Sequence, residues 1–132
     1  EGKWNYENLP IQHGKASQGA FSMVCGDKSI VVVGGDYSKN KLSDSTACFF
    51  KLDNSPEFTL TTGNTTGFQS CIEYISDNTF LSTGTPGSNI TTDSGKTWTK
   101  IDGISYNACR KAKTGKLVLL AGDGGKIGIL KL

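Results

Sequence analysis

Histidine, arginine and methionine each occur once in this sequence of 132 residues. The single histidine, His13, lies in a stretch rich in Gly, Ser and Gln, which is a poor setting for a metal site or a catalytic triad because both need several converging groups. The longest aliphatic run, residues 30–33, is far shorter than the roughly 20 apolar residues that cross a bilayer. The sequence therefore predicts neither a histidine-based site nor a transmembrane segment.

An excess of charge of one sign is also missing. There are 14 Lys and Arg residues against 12 Asp and Glu, a net charge of +2, so we expect no nucleic-acid partner and no binding to an anionic membrane. Glycine, in contrast, is abundant with 17 residues, a composition that favours turns and strands. A chain of this length forms one core. We predict a single all-β domain.

The four cysteines lack the CxxC spacing that is typical of zinc sites. Cysteines within apolar, strand-like runs are more often small buried hydrophobic residues than bridges or nucleophiles. The even number leaves disulfides open, and the sequence does not define a pairing. We therefore expect no metal and no cofactor, and the disulfide state stays open for Cys25, Cys48, Cys71 and Cys109.

One local pattern occurs three times: an apolar or alternating run, a tight turn, a second run and a closing glycine. The closing glycines are Gly34, Gly84 and Gly122. Their intervals average about 44 residues, within the range for a four-stranded propeller blade. We therefore predict a β-propeller segment of about three blades, which covers residues 1–132 with blades over 18–60, 64–102 and 105–132.

The two ends of the chain are expected to complement each other. Trp4 lies before the first predicted hairpin, as Phe58 and Trp98 lie before the second and third, so residues 3–10 are predicted to form an outer strand. Residues 105–132 supply inner strands and no outer strand. The N-terminal strand is therefore predicted to close this last blade.

A second motif lies between two of the hairpins. Residues 91–98 match the pattern Ser/Thr-x-Asp-x-Gly-x-Thr-Trp at all five specified positions, which are Thr91, Asp93, Gly95, Thr97 and Trp98. An Asp accepts hydrogen bonds within its own turn, a Gly takes a positive φ, and a Trp ring packs on the next strand. We predict a structural role for these residues. The alternative is that Asp93 binds a ligand or a metal.

The motif resembles the Asp-box, or bacterial neuraminidase repeat, which lies between the third and fourth strands of a propeller blade. Together with the Gly-rich stretches 34–37, 67–70, 84–88 and 121–128, it resembles the C-terminal half of a bacterial family of Asp-box propellers. This family is sialidase-like and related to photosystem-stability-factor-like propellers. Because its members have six or seven blades, the resemblance implies half or a fragment of such a ring. It carries no oxidoreductase activity over to this chain, since the enzyme labels rest on fold analogy.

The resemblance also bears on function. Sialidases bind the substrate carboxylate with a cluster of arginines, and this chain has only Arg110, which argues against a self-contained sialidase. We predict a non-catalytic binding or scaffold propeller that recognises a glycan or a protein, with no catalytic residues. The alternative is a glycoside-processing propeller whose remaining half completes the active site, with Asp36 and Glu73 as candidate carboxylates.

Three candidate ligand-binding residues are Asp36, Tyr37 and Gln69. Asp36 and Tyr37 follow an apolar strand and open a polar loop, where propellers place binding groups. A bulge and turn at Gly-Gly-Asp is the alternative. Gln69 stands where the resembled family has an arginine, so an anionic ligand is in doubt at this position.

The other two candidates are Glu73 and Arg110. Alternation along the strand directs Glu73 toward a neighbouring blade or a channel. We take its counterpart in the third repeat to be Lys111, so an ion pair between blades is the alternative to a ligand contact. Arg110 either clamps a carboxylate or phosphate or braces the end of a strand.

Three blades in an open arc would leave two apolar faces uncovered. We therefore expect a complementary propeller half as the partner, either a second identical chain or an N-terminal fragment of the same precursor. The precursor is slightly favoured, because residues 1–10 begin inside a box-like turn and the resembled proteins are single longer chains. We also expect a secreted or periplasmic location.

Overall fold

The computed structural model describes residues 2–53 and 57–131, and these residues form an all-β structure. Two short 3-10 turns, Tyr37–Lys39 and Asp123–Gly125, are its only helical elements within those ranges. No helix of the described residues is long and apolar enough to cross a membrane. The strands are β1 Gln18–Cys25, β2 Ser29–Asp36, β3 Ala47–Lys51, β4 Thr59–Leu60, β5 Cys71–Ser76, β6 Thr79–Gly84, β7 Gly87–Thr91, β8 Thr99–Asp102, β9 Ala108–Lys111, β10 Val118–Gly122 and β11 Lys126–Leu130.

The strands form three antiparallel sheets in chain order. The first sheet has the order β1-β2-β3-β4, the second β5-β6-β7-β8 and the third β9-β10-β11. The first strands of successive sheets contact each other, β1 with β5 and β5 with β9. The prediction of an all-β class is confirmed. The sheets do not close into a ring, so the finer propeller architecture is not established by this structure.

Two apolar clusters hold the sheets face to face, because alternate residues of each strand point to opposite faces. The interface of the first and second sheets contains Val31, Val33, Ala47, Phe49, Ile72, Phe80 and Trp98. The interface of the second and third sheets contains Cys71, Ile75, Leu81, Tyr106, Cys109, Val118 and Leu120. The second sheet is thus covered on both faces, and each outer sheet is covered by a neighbouring sheet on one.

The closing glycines mark equivalent positions in the three sheets. A Cβ atom on any of them would overlap a backbone carbonyl oxygen, that of Gly19 for Gly34, of Phe68 for Gly84 and of Ser105 for Gly122. At the same point of each sheet, two backbone segments therefore approach so closely that only glycine fits. Residues three positions earlier are then equivalent too, and these are Val31, Leu81 and Leu119.

The N-terminal segment takes a different course from the one expected for an outer strand over 3–10. Among the described residues, 2–9 form no strand, and Trp4 is almost fully exposed. Ile11 is buried against Val32 and Cys48 on the outer face of the first sheet. Because this apolar contact anchors the segment to the first sheet, it does not pair with the third, which has three strands among the described residues.

Candidate functional site

The turn over residues 91–98 joins β7 to β8, and its side chains are hydrogen-bonded to one another. We call it the Asp-box turn, after the motif that its sequence resembles. The backbone N–H of Thr97 donates to Asp93 Oδ1 at 2.9 Å, and the Thr97 hydroxyl donates to Oδ2 at 2.6 Å. The Thr91 hydroxyl donates to Asp93 Oδ1 at 2.8 Å and accepts from the N–H of Gly95 at 3.0 Å. Burial raises the pKa of Asp93, but these hydrogen bonds outweigh it, so the pKa lies below its usual value. The carboxylate is occupied by its own turn.

The same turn also connects the second sheet to the first. Gly95 has a φ of +91°, and a Cβ there would approach Val31 of the first sheet at 3.2 Å. Trp98 is buried in the interface between these two sheets. The carbonyl oxygen of Lys96 accepts a hydrogen bond from the Thr61 hydroxyl at 2.6 Å. The box therefore packs as part of the interface rather than as a free loop.

Asp36 ends β2 and caps the 3-10 turn that follows. Its carboxylate is fully buried, and Oδ1 accepts from the hydroxyl and the backbone N–H of Ser38 at 2.6 and 2.9 Å. Gln18 Nε2 donates to Oδ2 at 3.1 Å. Hydrogen bonds, with that of the Ser38 side chain foremost, hold the pKa of Asp36 far below its usual range despite burial. Asp36 is therefore an ionised side chain inside a turn.

Tyr37 projects from this turn into a small group of aromatic rings. Its side chain is 55% exposed, and its ring makes edge contacts with Phe21 and Phe68 at centroid distances of 6.0 and 6.3 Å. The rings of Phe21 and Phe68 are 4.8 Å apart, and Phe21 is exposed while Phe68 is buried. We call these three residues the aromatic surface. Exposed rings on a rigid frame are typical of binding surfaces.

Gln69 follows the aromatic surface and is fully buried. Its Nε2 donates to the carbonyl oxygens of Phe68 and Gly67 at 3.0 and 3.3 Å. Its Oε1 accepts from the Ser82 hydroxyl at 2.8 Å and from Asn89 Nδ2 at 3.1 Å. Both polar atoms of the Gln69 side chain are thus hydrogen-bonded within the protein, and they link the start of the second sheet to β6 and β7.

Glu73 and Arg110 meet at the boundary between the second and third sheets. Arg110 Nη1 lies 4.0 Å from Glu73 Oε2, with the arginine side chain 74% and the glutamate side chain 16% exposed. The Glu73 carboxylate also accepts the backbone N–H groups of Tyr74 at 2.9 Å and Lys111 at 3.1 Å. The glutamate therefore ties β5 to β9 through backbone contacts, and the arginine remains largely in solvent.

The residue taken as the counterpart of Glu73 in the third repeat needs a correction. Glu73 pairs with Leu81, and Arg110 pairs with Leu119, and both leucines stand three residues before a closing glycine. The counterpart of Glu73 is therefore Arg110 and not Lys111. The shift by one residue arises because the turn after β9 is longer than the turn after β5, so an alignment on the turns misplaces the strand.

Two cysteines lie beside this ion pair and were not among the residues singled out from the sequence. Cys71 Sγ is 3.6 Å from Arg110 Nη1 and 3.5 Å from the carbonyl oxygen of Cys109. The neighbouring Cys109 side chain lowers the pKa of Cys71 to about 6 against the effect of burial, and Arg110 adds to this. The same contact and burial raise the pKa of Cys109. A separation of 38 residues in the sequence does not reveal that β5 and β9 are neighbours.

The candidate ligand-binding residues form two groups. Asp36 and Tyr37 belong with the aromatic surface, whereas Glu73 and Arg110 lie farther along β5. Asp36 is hydrogen-bonded to Gln18 and Ser38, and Tyr37 packs on Phe21 and Phe68. The Glu73 carboxylate is instead bonded to the backbone of Tyr74 and Lys111. The structure therefore brings the candidates together in pairs and does not join all four in one pocket.

A cavity of about 560 Å³ lies beside the Asp-box turn, at the end of the sheets opposite the aromatic surface. Its lining includes three acidic and three basic side chains, those of Asp27, Asp53, Asp93, Lys28, Lys51 and Lys96. Charges of both signs leave no field that would attract one kind of ion. Within the described residues, no group of three or more His, Cys, Asp or Glu side chains is arranged to hold a metal ion.

Comparisons of the chain with family models, with curated proteins and with solved structures found no match. Function is therefore inferred from the geometry of this chain.

Proposed function

We propose that this chain is a non-catalytic scaffold segment of a β-propeller, whose ring is completed by further sheets of the same kind. The observation that carries the proposal is the outer face of the third sheet. There, Leu119, Ile127 and Ile129 are 39%, 70% and 64% exposed. Contiguous exposed apolar side chains on a soluble domain are typical of an interface.

The equivalent side chains of the other sheets support this reading. Leu119 corresponds to Val31 and Leu81, and both of these are completely buried by the following sheet. Ile127 pairs with the residue before Gly122, just as Ser88 pairs with the residue before Gly84, and Ser88 is also completely buried. Positions that are interior in two sheets are thus in solvent in the third. A fourth sheet with the same apolar face would cover them.

A second copy of this chain is the partner that we propose. The outer face of the first sheet is covered by Ile11 at Val32 and Cys48, but next to Val32 it carries an exposed apolar side chain on β1, Met23, which is 64% exposed. Two chains related by a two-fold axis would place the third sheet of each against the first sheet of the other. Six sheets would then form one ring, which is within the usual number for propellers.

Sedimentation velocity across the micromolar range tests the partner. We expect a species of about 28 kDa, twice the 14.0 kDa of the chain, and we expect Ile129→Lys to shift it to the monomer. Ile104→Lys is the matched control, because Ile104 is also exposed but lies in the loop between the second and third sheets. A wild-type chain that stays monomeric throughout would contradict the two-copy ring. A complex of another mass would point to a different partner, such as an N-terminal fragment of the same precursor, in place of the identical chain.

The ligand that we propose for the assembled ring is a glycan bound at the aromatic surface. Phe21 and Tyr37 expose parts of their rings, and aromatic faces pack well on the apolar faces of sugars. A glycan-array screen of the assembly, repeated with Tyr37→Ala, measures this binding. Tyr6→Ala is the control, since Tyr6 is exposed outside the aromatic surface. Equal binding by the Tyr37 variant, or binding only to a protein ligand, would contradict it. The proposal includes a secreted or periplasmic location.

The glycoside-processing alternative has weaker support. An acid pair needs two carboxyl groups about 5 to 10 Å apart, and Asp36 and Glu73 belong to the two separate groups of candidates. Each carboxylate is also held by hydrogen bonds from the protein. An active site would then have to draw its acid pair from the other half of the ring.

A further inference from the structure

The first strands of the second and third sheets bring two thiols together. Cys71 on β5 and Cys109 on β9 are both buried in the same interface cluster. Cys71 Sγ lies 3.5 Å from the carbonyl oxygen of Cys109, and Cys109 Sγ lies 3.9 Å from the carbonyl oxygen of Leu81 in the second sheet. All four cysteines are free thiols in this structure. Two adjacent thiols on neighbouring strands are a pair that oxidation can join.

The surroundings of Cys71 favour its thiolate. Arg110, whose guanidinium nitrogen is 3.6 Å from Cys71 Sγ, supplies a positive charge beside the sulfur. Glu73 neutralises part of this charge from 4.0 Å, yet the pKa of Cys71 is still lowered to about 6, chiefly by the neighbouring Cys109 side chain. Cys48, by contrast, is buried in an apolar cluster, and burial raises its pKa to about 12. Thiolate character, access to solvent and an adjacent second thiol distinguish reactive cysteines from inert ones. Of the three buried thiols, Cys71 keeps the largest exposed fraction, 7% against 1% for Cys109 and 0% for Cys48.

We propose that Cys71 and Cys109 form a peroxide-reactive dithiol, in which Cys71 is the attacking residue and Cys109 the resolving one. The Cys71 thiolate attacks one oxygen of hydrogen peroxide, the O–O bond breaks, and the departing hydroxide takes up a proton to become water. Cys71 is then a sulfenic acid. This neutral group removes the negative charge beside Cys109. The Cys109 sulfur attacks the Cys71 sulfur, and the S–O bond of the sulfenic acid breaks. The thiol proton of Cys109 joins the departing hydroxyl group, which leaves as a second water.

The net change is two thiols and one peroxide to one disulfide and two waters. The disulfide joins the second sheet to the third across their interface. Because the third sheet has one face without a covering sheet among the described residues, this link restrains the part of the structure with the least support. We expect oxidation to raise the midpoint of thermal unfolding.

Peptide mapping tests the pairing, because trypsin places each cysteine on a separate peptide. The peptides are residues 16–28, 42–51, 52–96 and 101–110. The folded full chain is treated with hydrogen peroxide, its free thiols are blocked with N-ethylmaleimide, and it is digested without reductant. We expect a disulfide-linked pair of 52–96 with 101–110, while 42–51 carries the maleimide. Absence of the linked pair, or links to 42–51 of equal abundance, would overturn the proposal.

Two variants separate the roles of the thiols and of the arginine. In Cys109→Ser, oxidation should stop at the sulfenic acid of Cys71, which dimedone traps on peptide 52–96. Arg110→Gln should slow the loss of the Cys71 thiol several-fold and leave the circular dichroism spectrum unchanged, since Arg110 is largely in solvent. Cys48→Ser is the matched control for a buried thiol and should react as wild type does. No dimedone adduct in a folded Cys109→Ser chain would refute the role of Cys71, and an unchanged rate in Arg110→Gln would refute that of the arginine.

Discussion

The two interfaces between sheets pair equivalent strands but differ in the chemistry of their side chains. The first joins aliphatic and aromatic side chains, among them Val31, Phe80 and Trp98, and the Asp-box turn packs against its edge. The second contains two thiols, Cys71 and Cys109, and has the ion pair of Glu73 and Arg110 at its edge, on β5 and β9. One repeated arrangement of sheets thus supports apolar packing with neutral hydrogen bonds in one place and titratable groups in the other.

The first strands of the sheets, β1, β5 and β9, explain this difference. At the first interface, the backbone N–H of Ile72 donates to the Ser22 hydroxyl at 3.1 Å, so the polar contact between β1 and β5 is neutral. At the second, the position equivalent to Ser22 is Cys71, because each residue pairs with the one before a closing glycine. A hydroxyl does not ionise at neutral pH, whereas a thiol beside a guanidinium does. Substitutions in the first interface should therefore change stability, and those around the second should change reactivity.

The largest effect is expected for Phe80→Ala in the first interface. Phe80 is completely buried, and removal of its ring leaves a cavity between the two sheets. We expect a loss of about 3 to 5 kcal/mol in the free energy of unfolding, measured by urea denaturation. Phe80→Leu is the control and should lose clearly less. A loss below about 1 kcal/mol for the alanine variant would mean that this interface is not the main source of stability.

Asp93→Ala should have the next largest effect, at the edge of the same interface. The variant loses the acceptor for the Thr97 backbone N–H, and comparable side-chain caps contribute about 1 to 2 kcal/mol. Thr92→Ala, in the same turn at an exposed position, should stay within about 0.5 kcal/mol of wild type. An unchanged melting curve together with a lost ligand would instead make Asp93 a binding residue.

Acid should reduce the difference between wild type and Asp93→Ala. The pKa of Asp93 is lowered in the folded chain, so its contribution is complete above the unfolded value of about 3.8 and is lost as the pH falls through the lower folded pKa. Denaturation of both proteins from pH 6 down to pH 2 measures this. A difference that stays constant with pH would assign the effect to packing instead of to the carboxylate.

Features that lie within a few consecutive residues could be predicted from the sequence, whereas contacts between distant residues could not. The Asp-box needs eight consecutive residues, and the closing glycines follow from turn spacing, so both are visible in the chain. The pairing of Cys71 with Cys109 depends on the contact of β5 with β9, which no local pattern contains. The burial of Gln69 depends on partners on β6 and β7. The course of the N-terminal segment depends on Ile11, whose apolar contact competes with strand pairing.

The smallest change in stability is expected for Arg110→Gln, at the second interface. The arginine is 74% exposed and 4.0 Å from Glu73, and exposed ion pairs at this distance contribute about 0 to 1 kcal/mol. The same substitution removes a positive charge from the side of Cys71, whose pKa is lowered to about 6, so the pKa should rise and the midpoint for alkylation of Cys71 by iodoacetamide should rise with it. Alkylation rates on peptide 52–96 between pH 5 and pH 9, with a parallel urea denaturation, measure both quantities. A loss of more than about 2 kcal/mol with an unchanged alkylation midpoint would reverse the assignment, because the ion pair would then stabilise the fold without acting on the thiol.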